Sequence, residues 1–580
     1  MKVLQRSYYG KIKMIYIDPP YNTGNDSFIY PDRFKEEKDD YELRAGIKDA
    51  EGLLTKDGFW RKNSKDAGHF HSNWLSMMYP RLFLARNLLR QDAFFVVSID
   101  DAELTNLQLM LNEIFGEENY IATLVWDRNR KNDAKYFSVG HEYMLVYAKD
   151  REYLKSIDTI LRHSKEGVAE VKDEYERLRK LHSDDWRSVK TGLMQFFDGM
   201  SDDDPRKQLA RFNKVDDKGP YRDDGNINWP GGGGPRYEVL HPVTGKPCKI
   251  PRSGWRYPTK KRMDEVIAKG RVVFGETEET VPSVRTNLFD NSTQVMKSVN
   301  YSYAQTATVM FNSLFGGKRV FDNPKHSEDI QQIVNYLTAE DDITLDFFAG
   351  SCTTAHAVMQ LNAEDGGNRK FICVQLAEPC EEESEAFKAG FKTIADIGKE
   401  RIRRAAKKIK EENKGKLDFD GKKTDLGFKV LKLEQSNFKQ WRENVKTGEE
   451  LKEQMKMFVD NTTKGAKPDD MLFEIILKNS RFDLNVKVEK QSFDGVDYYR
   501  LADGVEIVCL ASKITKKFID KALEGVKSEK SVKGAKSVKG EEAVKCEKFT
   551  CLDIAFKDND QLKTNTALQM EAAKIEFKVI

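Results

Sequence analysis

Asp18-Pro19-Pro20-Tyr21 is the first group of residues whose types suit a chemical step. It follows the apolar run Lys13–Ile17, which predicts a strand that the prolines end. The Asp18 carboxylate and the Pro19 carbonyl can accept the two hydrogens of an exocyclic amine, and the double proline fixes the direction of both acceptors. Tyr21 offers a flat face on which a flipped base can stack. The pattern favours chemistry on the amine of a base, although the same letters are common in a turn that ends a strand.

A second group runs from Asp346 to Thr354 and reads Asp-Phe-Phe-Ala-Gly-Ser-Cys-Thr-Thr. Its pattern predicts a strand, a tight turn at Ala349 and Gly350, and a helix that begins at Thr353. The small residues let the backbone approach a ligand, and the start of the helix offers free amide donors. Because the turn lacks a Gly-x-Gly pair, a cofactor with adenosine and an amino-acid tail fits better than a dinucleotide. An ordinary strand–turn–helix corner is the alternative.

Alternating strands and helices must position these two groups, and they indicate an α/β fold with a mostly parallel sheet that is covered on both faces. Strands are predicted where short apolar runs end at turn residues, and helices where apolar residues recur at helical spacing. The predicted strands are Lys13–Ile17, Ala93–Asp100, Tyr143–Ala148, Ile343–Phe348 and Arg369–Leu376, and the predicted helices are Trp74–Arg90, Asp101–Phe115, Thr353–Leu361 and Phe391–Lys410.

Changes in composition and in the pattern of predicted strands and helices divide the chain into four regions. Residues 1–150 and 321–415 carry the strand–helix alternation and the two chemical groups. Residues 151–320 are polar and rich in turns, which indicates an insert that supplies a surface. Residues 416–580 mix short strands and helices around a low-complexity loop near 525–545, where Lys-Ser-Val-Lys-Gly occurs twice. That loop is interpreted as disordered, with a basic tether that touches DNA as the alternative.

Length and composition exclude several classes of protein. A chain of 580 residues predicts three to five folding units at about 150 residues each. The 96 basic and 94 acidic residues nearly cancel, so a nucleic-acid site must be local. The absence of a long apolar run and of a signal-peptide core argues against membrane and secreted proteins. Seven cysteines without a Cys-x-x-Cys pair fit the reducing cytoplasm.

Taken together, the motifs resemble the adenine-specific DNA methyltransferases of type III restriction–modification systems, in particular their modification subunit. Asp-Pro-Pro-Tyr precedes the cofactor-type motif and a large insert separates them, which resembles the β-type permutation of these enzymes. The resemblance covers nearly the whole chain and rests on Ile15-Tyr-Ile-Asp-Pro-Pro-Tyr-Asn-Thr-Gly24, His141-Glu-Tyr-Met-Leu-Val-Tyr-Ala148, Phe321-Asp-Asn-Pro-Lys325, Leu345-Asp-Phe-Phe-Ala-Gly-Ser351, Gly390-Phe-Lys-Thr-Ile-Ala-Asp-Ile-Gly-Lys-Glu-Arg401 and Asn559-Asp-Gln-Leu-Lys-Thr-Asn565.

The resemblance implies a Rossmann-like methyltransferase sheet in permuted strand order, with an inserted target-recognition domain and a C-terminal α+β domain. It further implies that Asp18, Pro19, Pro20 and Tyr21 hold a flipped adenine for methylation by S-adenosylmethionine. The residues implied to bind that cofactor are Asp346, Phe348, Ala349, Gly350, Ser351 and Thr353, with Phe321, Asn323 and Lys325 over its methionine end. The ribose contact falls on either Gln375 or Glu378, because the expected acid after the strand is replaced or shifted.

Duplex DNA is the implied partner of the insert, where aromatic and basic residues alternate. The predicted DNA contacts are Trp255, Arg256 and Lys260 in the insert, with Arg128 and Arg130 near the Asp-Pro-Pro-Tyr motif. The alternatives are that Trp255 belongs to the core of the insert and that the two arginines are solvated loop charges. Arg401 and the basic residues after it are interpreted first as a solvated helix face and second as a DNA contact. His69 and His71 have no partner at metal-ligand spacing, so no metal is predicted.

The family also implies a homodimer and an ATP-dependent restriction subunit, and residues 416–580 are the candidate for such contacts. Family members carry a segment upstream of the catalytic strand that contacts the cofactor adenine, whereas only Met1–Ile17 precede Asp18 here. The alternative to a site-specific adenine methyltransferase is therefore a truncated, catalytically weak DNA-recognition subunit that docks a nuclease. Methylation of a protein amide or of RNA is disfavoured, because the motif begins with Asp and the insert is large.

Overall fold

The computed structural model describes most of the chain and divides it into two compact units. Unit 1 comprises Met1–Asp158 and Ser298–Ile580, and unit 2 comprises Thr159–Lys297. Unit 2 lies within the range 151–320 given to the insert, while the division into four regions stays a prediction. The described residues are 1–23, 70–128, 135–165, 167–183, 185–201, 204–414, 418–419, 422–439, 447–457, 461–479, 481–527, 546–557 and 559–580. His69, Arg130 and the low-complexity loop from residue 528 onward lie outside them.

The first part of unit 1 alternates strands and helices as the sequence predicts, with shifted boundaries. Every residue of the first strand is buried, which is typical of a strand covered on both faces. The strands are β1 Ile12–Ile17, β2 Leu89–Ile99, β3 Tyr120–Asp127 and β4 His141–Ala148. The α-helices are α1 Gln5–Tyr8, α2 Phe70–Leu88, α3 Leu104–Phe115 and α4 Arg151–Ser156, with 3-10 turns at Lys2–Leu4 and Glu117–Asn119.

Unit 2 contains a four-stranded antiparallel sheet in the order β6-β7-β9-β8 and a separate β10-β5 pair. Its strands are β5 His163–Ser164, β6 Lys214–Asp216, β7 Gly219–Gly225, β8 Val272–Val273, β9 Ser283–Asn287 and β10 Thr293–Gln294. Its helices are α5 Val168–His182, α6 Trp186–Asp198 and α7 Lys260–Ala268, with 3-10 turns at Pro205–Arg211 and Phe289–Asn291. One core forms around Phe197 and Phe212, and a second around Trp255 and Met263.

Unit 1 resumes with the strands and helices that complete its main sheet. The strands are β11 Val299–Tyr301, β12 Ile343–Asp346 and β13 Lys370–Cys373. The helices are α8 Ala304–Leu314, α9 Ser327–Leu337, α10 Thr353–Asp365, α11 Glu385–Lys388 and α12 Ile394–Glu412. The last strand is shorter than the predicted Arg369–Leu376, because the chain leaves the ladder after Cys373.

The main sheet has seven strands in the order β11-β3-β4-β2-β1-β12-β13. Strands β2, β1, β12 and β13 are parallel, and β4 is antiparallel to both β2 and β3. The pairing of Ile15 with Leu345 places the chain segments after β1 and β12 side by side at the same edge of the sheet. Open α/β sheets bind ligands at this edge, so the fold brings together the two groups that are distant in sequence.

The remaining part of unit 1 is built on a five-stranded mixed sheet, in the order β16-β17-β18-β19-β20. The five strands of this sheet are β16 Val488–Phe493, β17 Val496–Leu501, β18 Glu506–Cys509, β19 Lys548–Cys551 and β20 Glu576–Val579, and a separate antiparallel pair is formed by β14 Asp418–Phe419 and β15 Lys422–Lys423. This part also contains four α-helices. Its helices are α13 Gly448–Met457, α14 Pro468–Lys478, α15 Lys516–Lys527 and α16 Asp560–Ala572, with 3-10 turns at Ala502–Gly504 and Asp553–Phe556. The α/β class and the α+β character of this last region are confirmed.

Candidate active site

The turn after β1, here the Asp18 turn (residues 18–21), is fixed from two sides. The indole Nε1 of Trp74 donates a hydrogen bond of 2.7 Å to the carbonyl of Pro20. Asn22 is fully buried and donates from Nδ2 to Glu103 at 2.5 Å. No donor among the described residues reaches the Pro19 carbonyl, which comes directly before these two anchors in the chain. The turn therefore holds its backbone in place and leaves one carbonyl available to a ligand.

Lys325 joins the three polar side chains that surround this turn. Its ammonium lies 3.2 Å from Asp18 Oδ1 and donates to Glu142 Oε2 and to the Tyr21 hydroxyl at 2.6 Å each. The Tyr21 hydroxyl in turn donates to Glu142 Oε2 at 2.9 Å. Lys325 is implied by resemblance to bind the cofactor, but the structure places its ammonium on the Asp18 turn. One cation thus orients both the carboxylate and the aromatic ring of the motif.

Glu142 is held in turn by Arg128 and by the residues that Arg128 contacts. Arg128 donates from Nε to Glu142 Oε1 at 2.6 Å and also contacts Asp329 and Ser302. The Ser302 hydroxyl donates to Asp329 at 2.8 Å. The side chain of Arg128 is only 12% exposed, so it sits neither in a solvated loop nor where a DNA phosphate could easily reach it. Its guanidinium instead supports the charges around Asp18.

The pKa values of this cluster follow from burial opposed by close charges. Burial raises the pKa of Glu142, but Lys325 and Arg128 outweigh it and hold the pKa at about 2. Burial also raises the pKa of Asp18, and there the Lys325 ammonium opposes the rise only in part. Glu142 is therefore a permanent anion, while the charge of Asp18 depends on its neighbour Lys325.

The turn after β12, here the Gly350 turn (residues 347–352), is the second half of the site. Asp346 is 3% exposed, and its carboxyl accepts from the Thr354 hydroxyl at 2.6 Å and from the Phe348 amide at 3.0 Å. Gly350 has φ +49°, which a residue with a side chain rarely adopts, and its amide donates to Gln375 Oε1 at 2.8 Å. Burial raises the pKa of Asp346 to about 7 despite the two hydrogen bonds.

Helix α12 packs directly against this turn. A Cβ at Gly398 would lie 2.7 Å from Cys352 Sγ and 3.2 Å from the Gly350 carbonyl. Arg401, one turn later, is 2% exposed and donates from Nη1 to the hydroxyls of Ser351 and Thr353 at 2.8 and 2.6 Å. The interpretation of Arg401 as part of a solvated helix face is wrong, because the close approach at Gly398 brings its side chain under the Gly350 turn.

The other residues implied to bind the cofactor lie around the same turn to different degrees. Phe321 is half-buried, and its ring would be 3.4 Å from a Cβ at Gly350. Asn323 is exposed, and Phe348 is half-buried. Burial raises the pKa of the half-buried Glu378, whereas the side chain of Gln375 is tied to the turn. Ala349, Ser351 and Thr353 are all buried.

The residues predicted to contact DNA from the insert differ in exposure. Trp255 is fully buried and donates from Nε1 to the Tyr237 carbonyl at 2.8 Å, so it belongs to the core of unit 2. Arg256 is exposed and donates to the Asn226 carbonyl at 3.1 Å. Lys260 is exposed and paired with Asp264 at 2.8 Å. Of the three, Arg256 and Lys260 lie where a phosphate can reach them.

Trp74, Glu103 and Glu142 carry no role in the sequence interpretation, and Arg401 was given a different one. Glu142 had a visible signal, because an acid inside the apolar strand His141–Ala148 must be paired when it is buried. The others act through contacts with distant parts of the chain, which a sequence pattern does not show. Within the residues that the structure describes, no group of three or more His, Cys, Asp or Glu side chains could hold a metal ion. No described helix is long and apolar enough to cross a membrane.

Known proteins resemble this chain over most of its length. It is 35% identical to the EcoP15I Mod subunit of a type III restriction-modification enzyme from Escherichia coli, over 75% of this chain and 63% of that protein. It is 34% identical to the StyLTI Mod subunit from Salmonella typhimurium, over 74% of this chain and 58% of that protein. The match thus spans about three fifths of each Mod subunit.

A third relative is matched over a larger share of its own length. The type II methyltransferase M.KpnI from Klebsiella pneumoniae is 30% identical, over 67% of this chain and 80% of that protein. The profile of the DNA methylase family, which includes N6 and N4 methyltransferases, matches residues 12–411. That range contains the Asp18 turn, the Gly350 turn and all the side chains that join them. The chain therefore belongs to the DNA methylase family.

Proposed function

We propose that the chain transfers a methyl group from S-adenosylmethionine to the N6 amino group of adenine in duplex DNA, as the modification subunit of a type III restriction–modification system. The single observation that carries the proposal is the position of the Asp18 turn beside the Gly350 turn at one edge of the sheet. The names of the Mod-subunit relatives and of the methyltransferase M.KpnI support it.

The Asp18 turn meets the needs of an exocyclic amine. The nitrogen lone pair is delocalised into the ring, so the amine must be turned toward sp³ geometry before it can attack. The Asp18 carboxylate and the Pro19 carbonyl accept its two hydrogens, and the lone pair is then directed away from the ring. The base must leave the duplex to reach these acceptors, and the ring of Tyr21, held by Glu142 and Lys325, gives it a face to stack on.

The Gly350 turn fits a cofactor with adenosine and an amino-acid tail. Its positive φ and small residues let a ligand approach the backbone, and Ser351 and Thr353 place buried hydroxyls at the start of α10. Glu378, whose carboxyl accepts no hydrogen bond from the described residues, is the better candidate than Gln375 for the ribose hydroxyls. S-adenosylmethionine supplies an electrophilic methyl group whose departure leaves a neutral thioether.

Asp18 also accepts the proton that the methylated amine releases. When the nitrogen lone pair forms the new N–C bond, the amine becomes cationic, and the Asp18 carboxylate, which accepts one of its hydrogen bonds, takes the proton that it must lose. Lys325 favours the ionised form of that carboxylate, at a distance of 3.2 Å. Glu142 accepts from Lys325, and Arg128 holds Glu142 in place.

Adenine rather than cytosine is favoured by the motif, because Asp-Pro-Pro-Tyr resembles that of the adenine-specific family. Purified chain is incubated with tritiated S-adenosylmethionine and duplex DNA, which is then digested to nucleosides and separated. We expect the label in N6-methyldeoxyadenosine, and a loss of at least about 100-fold in Asp18→Asn. Label in N4-methyldeoxycytidine would contradict the choice of base. No label from a chain that binds both cofactor and DNA would favour a recognition subunit without activity.

The proposal includes duplex DNA read by unit 2, a homodimer, and a restriction subunit that docks on residues 416–580. Exposed Arg256 and Lys260 are the candidates for phosphate contacts in unit 2. Light scattering of the purified chain measures the oligomer, and a dimer mass is expected.

A pull-down with a type III restriction subunit is expected to lose its signal when substitutions are placed on the exposed face of α16.

A further inference from the structure

A cleft of about 530 Å³ opens in unit 1, at the edge of the main sheet opposite the Asp18 and Gly350 turns. β2 begins here at Leu89 and β4 ends here at Ala148, whereas both turns follow the carboxyl ends of parallel strands. The volume lies within the range of about 300–1,000 Å³ that is usual for small-molecule sites. This cleft, here the Lys149 cleft, is lined mainly by polar side chains, among them Tyr9, Asn87, Arg90, Gln91, Lys149 and Tyr153.

Four of the charges at the Lys149 cleft are paired with one another. Asp92, which also lines the cleft, accepts from Arg90 Nη2 at 2.9 Å and from Lys13 Nζ at 2.8 Å. Arg90 Nη1 lies 3.1 Å from an oxygen of Asp342. Burial raises the pKa of Asp92, but Arg90 and Lys13 outweigh it and hold the pKa at about 2. These two cations and two anions therefore balance.

Two further cations have no carboxylate within ion-pair distance among the described residues. Lys149 Nζ donates to the Arg86 carbonyl in the last turn of α2 at 2.7 Å, which uses one of its three hydrogens. The Nε of Arg86 is buried and donates no hydrogen bond within that same part of the chain. Burial and the Arg86 charge lower the pKa of Lys149 to about 8, and Asp150 opposes them only in part. The cleft therefore has an excess of positive charge, which an anion would stabilise.

Neutral donors line the same cleft as the Lys149 ammonium. They are the side-chain amides of Asn87 and Gln91 and the hydroxyls of Tyr9 and Tyr153. None of these four side chains has a hydrogen-bond partner among the residues that the structure describes. A phosphate has three strong acceptor oxygens, so it can accept from the ammonium and from several of these donors at once. A carboxylate has only two oxygens and would leave more of these donors unused.

Two phenol rings give the cleft a place for a flat group. Tyr9 is 67% exposed and Tyr153 is 37% exposed, and both line the cleft together with Leu89. An aromatic side chain can stack on any nucleobase, because every base has a π face. A ligand that carries both a phosphate and a base would therefore use the charge, the donors and the rings of this cleft.

We propose that the Lys149 cleft binds a free nucleotide, whose phosphate contacts Lys149 and whose base stacks on Tyr9 or Tyr153. The inference goes beyond the proposed function, because the cleft lies at the other edge of the sheet from both turns. A free nucleotide fits better than a DNA duplex, since it presents its base and its phosphate together, whereas the bases of a duplex are stacked inside it.

Isothermal titration of the full chain with guanosine 5′-monophosphate tests this assignment, with S-adenosylmethionine in excess. The excess cofactor fills the site proposed at the Gly350 turn, and a guanine base does not match the adenine proposed for the Asp18 turn. We expect a Kd below about 1 mM, and a loss of at least about 10-fold in Lys149→Met, which removes the charge and keeps the length of the side chain. Inorganic phosphate and guanosine are each expected to bind at least about 10-fold more weakly than the nucleotide.

Tyr153→Leu is a second variant, at a partly exposed position where the fold is not at risk. It is expected to lose about 3- to 10-fold in affinity for the nucleotide, because the base loses its stacking face, and to leave the affinity for inorganic phosphate unchanged. Lys155→Met is the matched control, since Lys155 lies on the same helix α4, outside the cleft, and is paired with Glu152. It is expected to change neither affinity.

Protection from acetic anhydride locates the ligand in the parent chain without any variant. Peptide mass spectrometry measures the acetylation of Lys149 and of Lys155. With guanosine 5′-monophosphate at ten times its Kd, acetylation of Lys149 is expected to fall about 10-fold and that of Lys155 to stay unchanged. A short DNA duplex is expected to protect neither lysine.

Several results would overturn the nucleotide assignment. They are no binding of guanosine 5′-monophosphate at millimolar concentration, an affinity that neither Lys149→Met nor Tyr153→Leu changes, and inorganic phosphate that binds as tightly as the nucleotide. Protection of Lys149 by the duplex but not by the nucleotide would overturn it in favour of a DNA contact. Methyl transfer is measured separately, so the proposed function stands or falls independently of these results.

Discussion

At the scale of single residues, Lys325 favours the ionised form of Asp18. Its ammonium opposes the rise in pKa that burial imposes on the Asp18 carboxyl. When Lys325→Met removes the cation, Asp18 takes up a proton at a higher pH, and we expect the acid limb of the methylation rate to move up by about one pH unit or more. Lys325→Arg is expected to restore most of the original profile. Rates measured from acid to neutral pH check this, and an unchanged acid limb would show that Lys325 does not act through Asp18.

Asp346 gives a second prediction at this scale, on stability. Burial raises its pKa in the folded chain to about 7, against about 4 in an unfolded chain. Folding therefore takes up a proton between these values, and stability falls as the pH rises through that window. The Asp346→Asn variant does not lose stability in this way. The difference between its urea midpoint and that of the parent is therefore expected to shift in favour of the variant as the pH rises from about 4 to about 7. Two midpoints that shift in parallel would contradict the assignment.

Helix α12 shows how an element positions the site. Its Gly398 lets the helix approach the Gly350 turn, where a Cβ would lie 2.7 Å from Cys352 Sγ. Gly398→Ala gains about 1 kcal/mol of helix propensity but pushes α12 away from the turn at a cost of about 1–3 kcal/mol. We expect weaker binding of S-adenosylmethionine by titration. Gly192→Ala on α6 is the control, because the three atoms nearest its Cβ all belong to the Leu178 side chain. Equal cofactor affinities in both variants would contradict this role of Gly398.

The helices and strands and their order along the chain are the part of the fold that the sequence predicts best. The apolar runs before Asp18 and Asp346 predict two strands of one sheet, and the structure pairs them directly. Contacts between distant side chains were not predictable, because no local pattern links Lys325 to Glu142 across 183 positions. The interpretation of Arg401 as part of a solvated helix face was wrong for a similar reason. A basic stretch of helix is expected to face solvent unless the close packing at Gly398 is known.

At the scale of the whole molecule, we propose that unit 1 carries the methyl transfer and unit 2 the DNA contacts. The Asp18 and Gly350 turns lie in unit 1, and Trp255 lies in the core of unit 2. Trp255→Ala removes a fully buried side chain and is expected to destabilise unit 2 by about 3–5 kcal/mol. DNA binding should then be lost while the affinity for S-adenosylmethionine stays unchanged, as gel shift and titration can measure. Loss of both would mean that the units do not fold separately.

The most direct test of the proposed activity maps methylated adenine in living cells. DNA from a host that lacks adenine methylation, expressing this chain or its Asp18→Ala variant, is sequenced as single molecules. We expect N6-methyladenine at one non-palindromic motif on one strand, and none with Asp18→Ala. If the chain is expressed and binds S-adenosylmethionine but no adenine is modified at any motif, the proposed methyl transfer is contradicted.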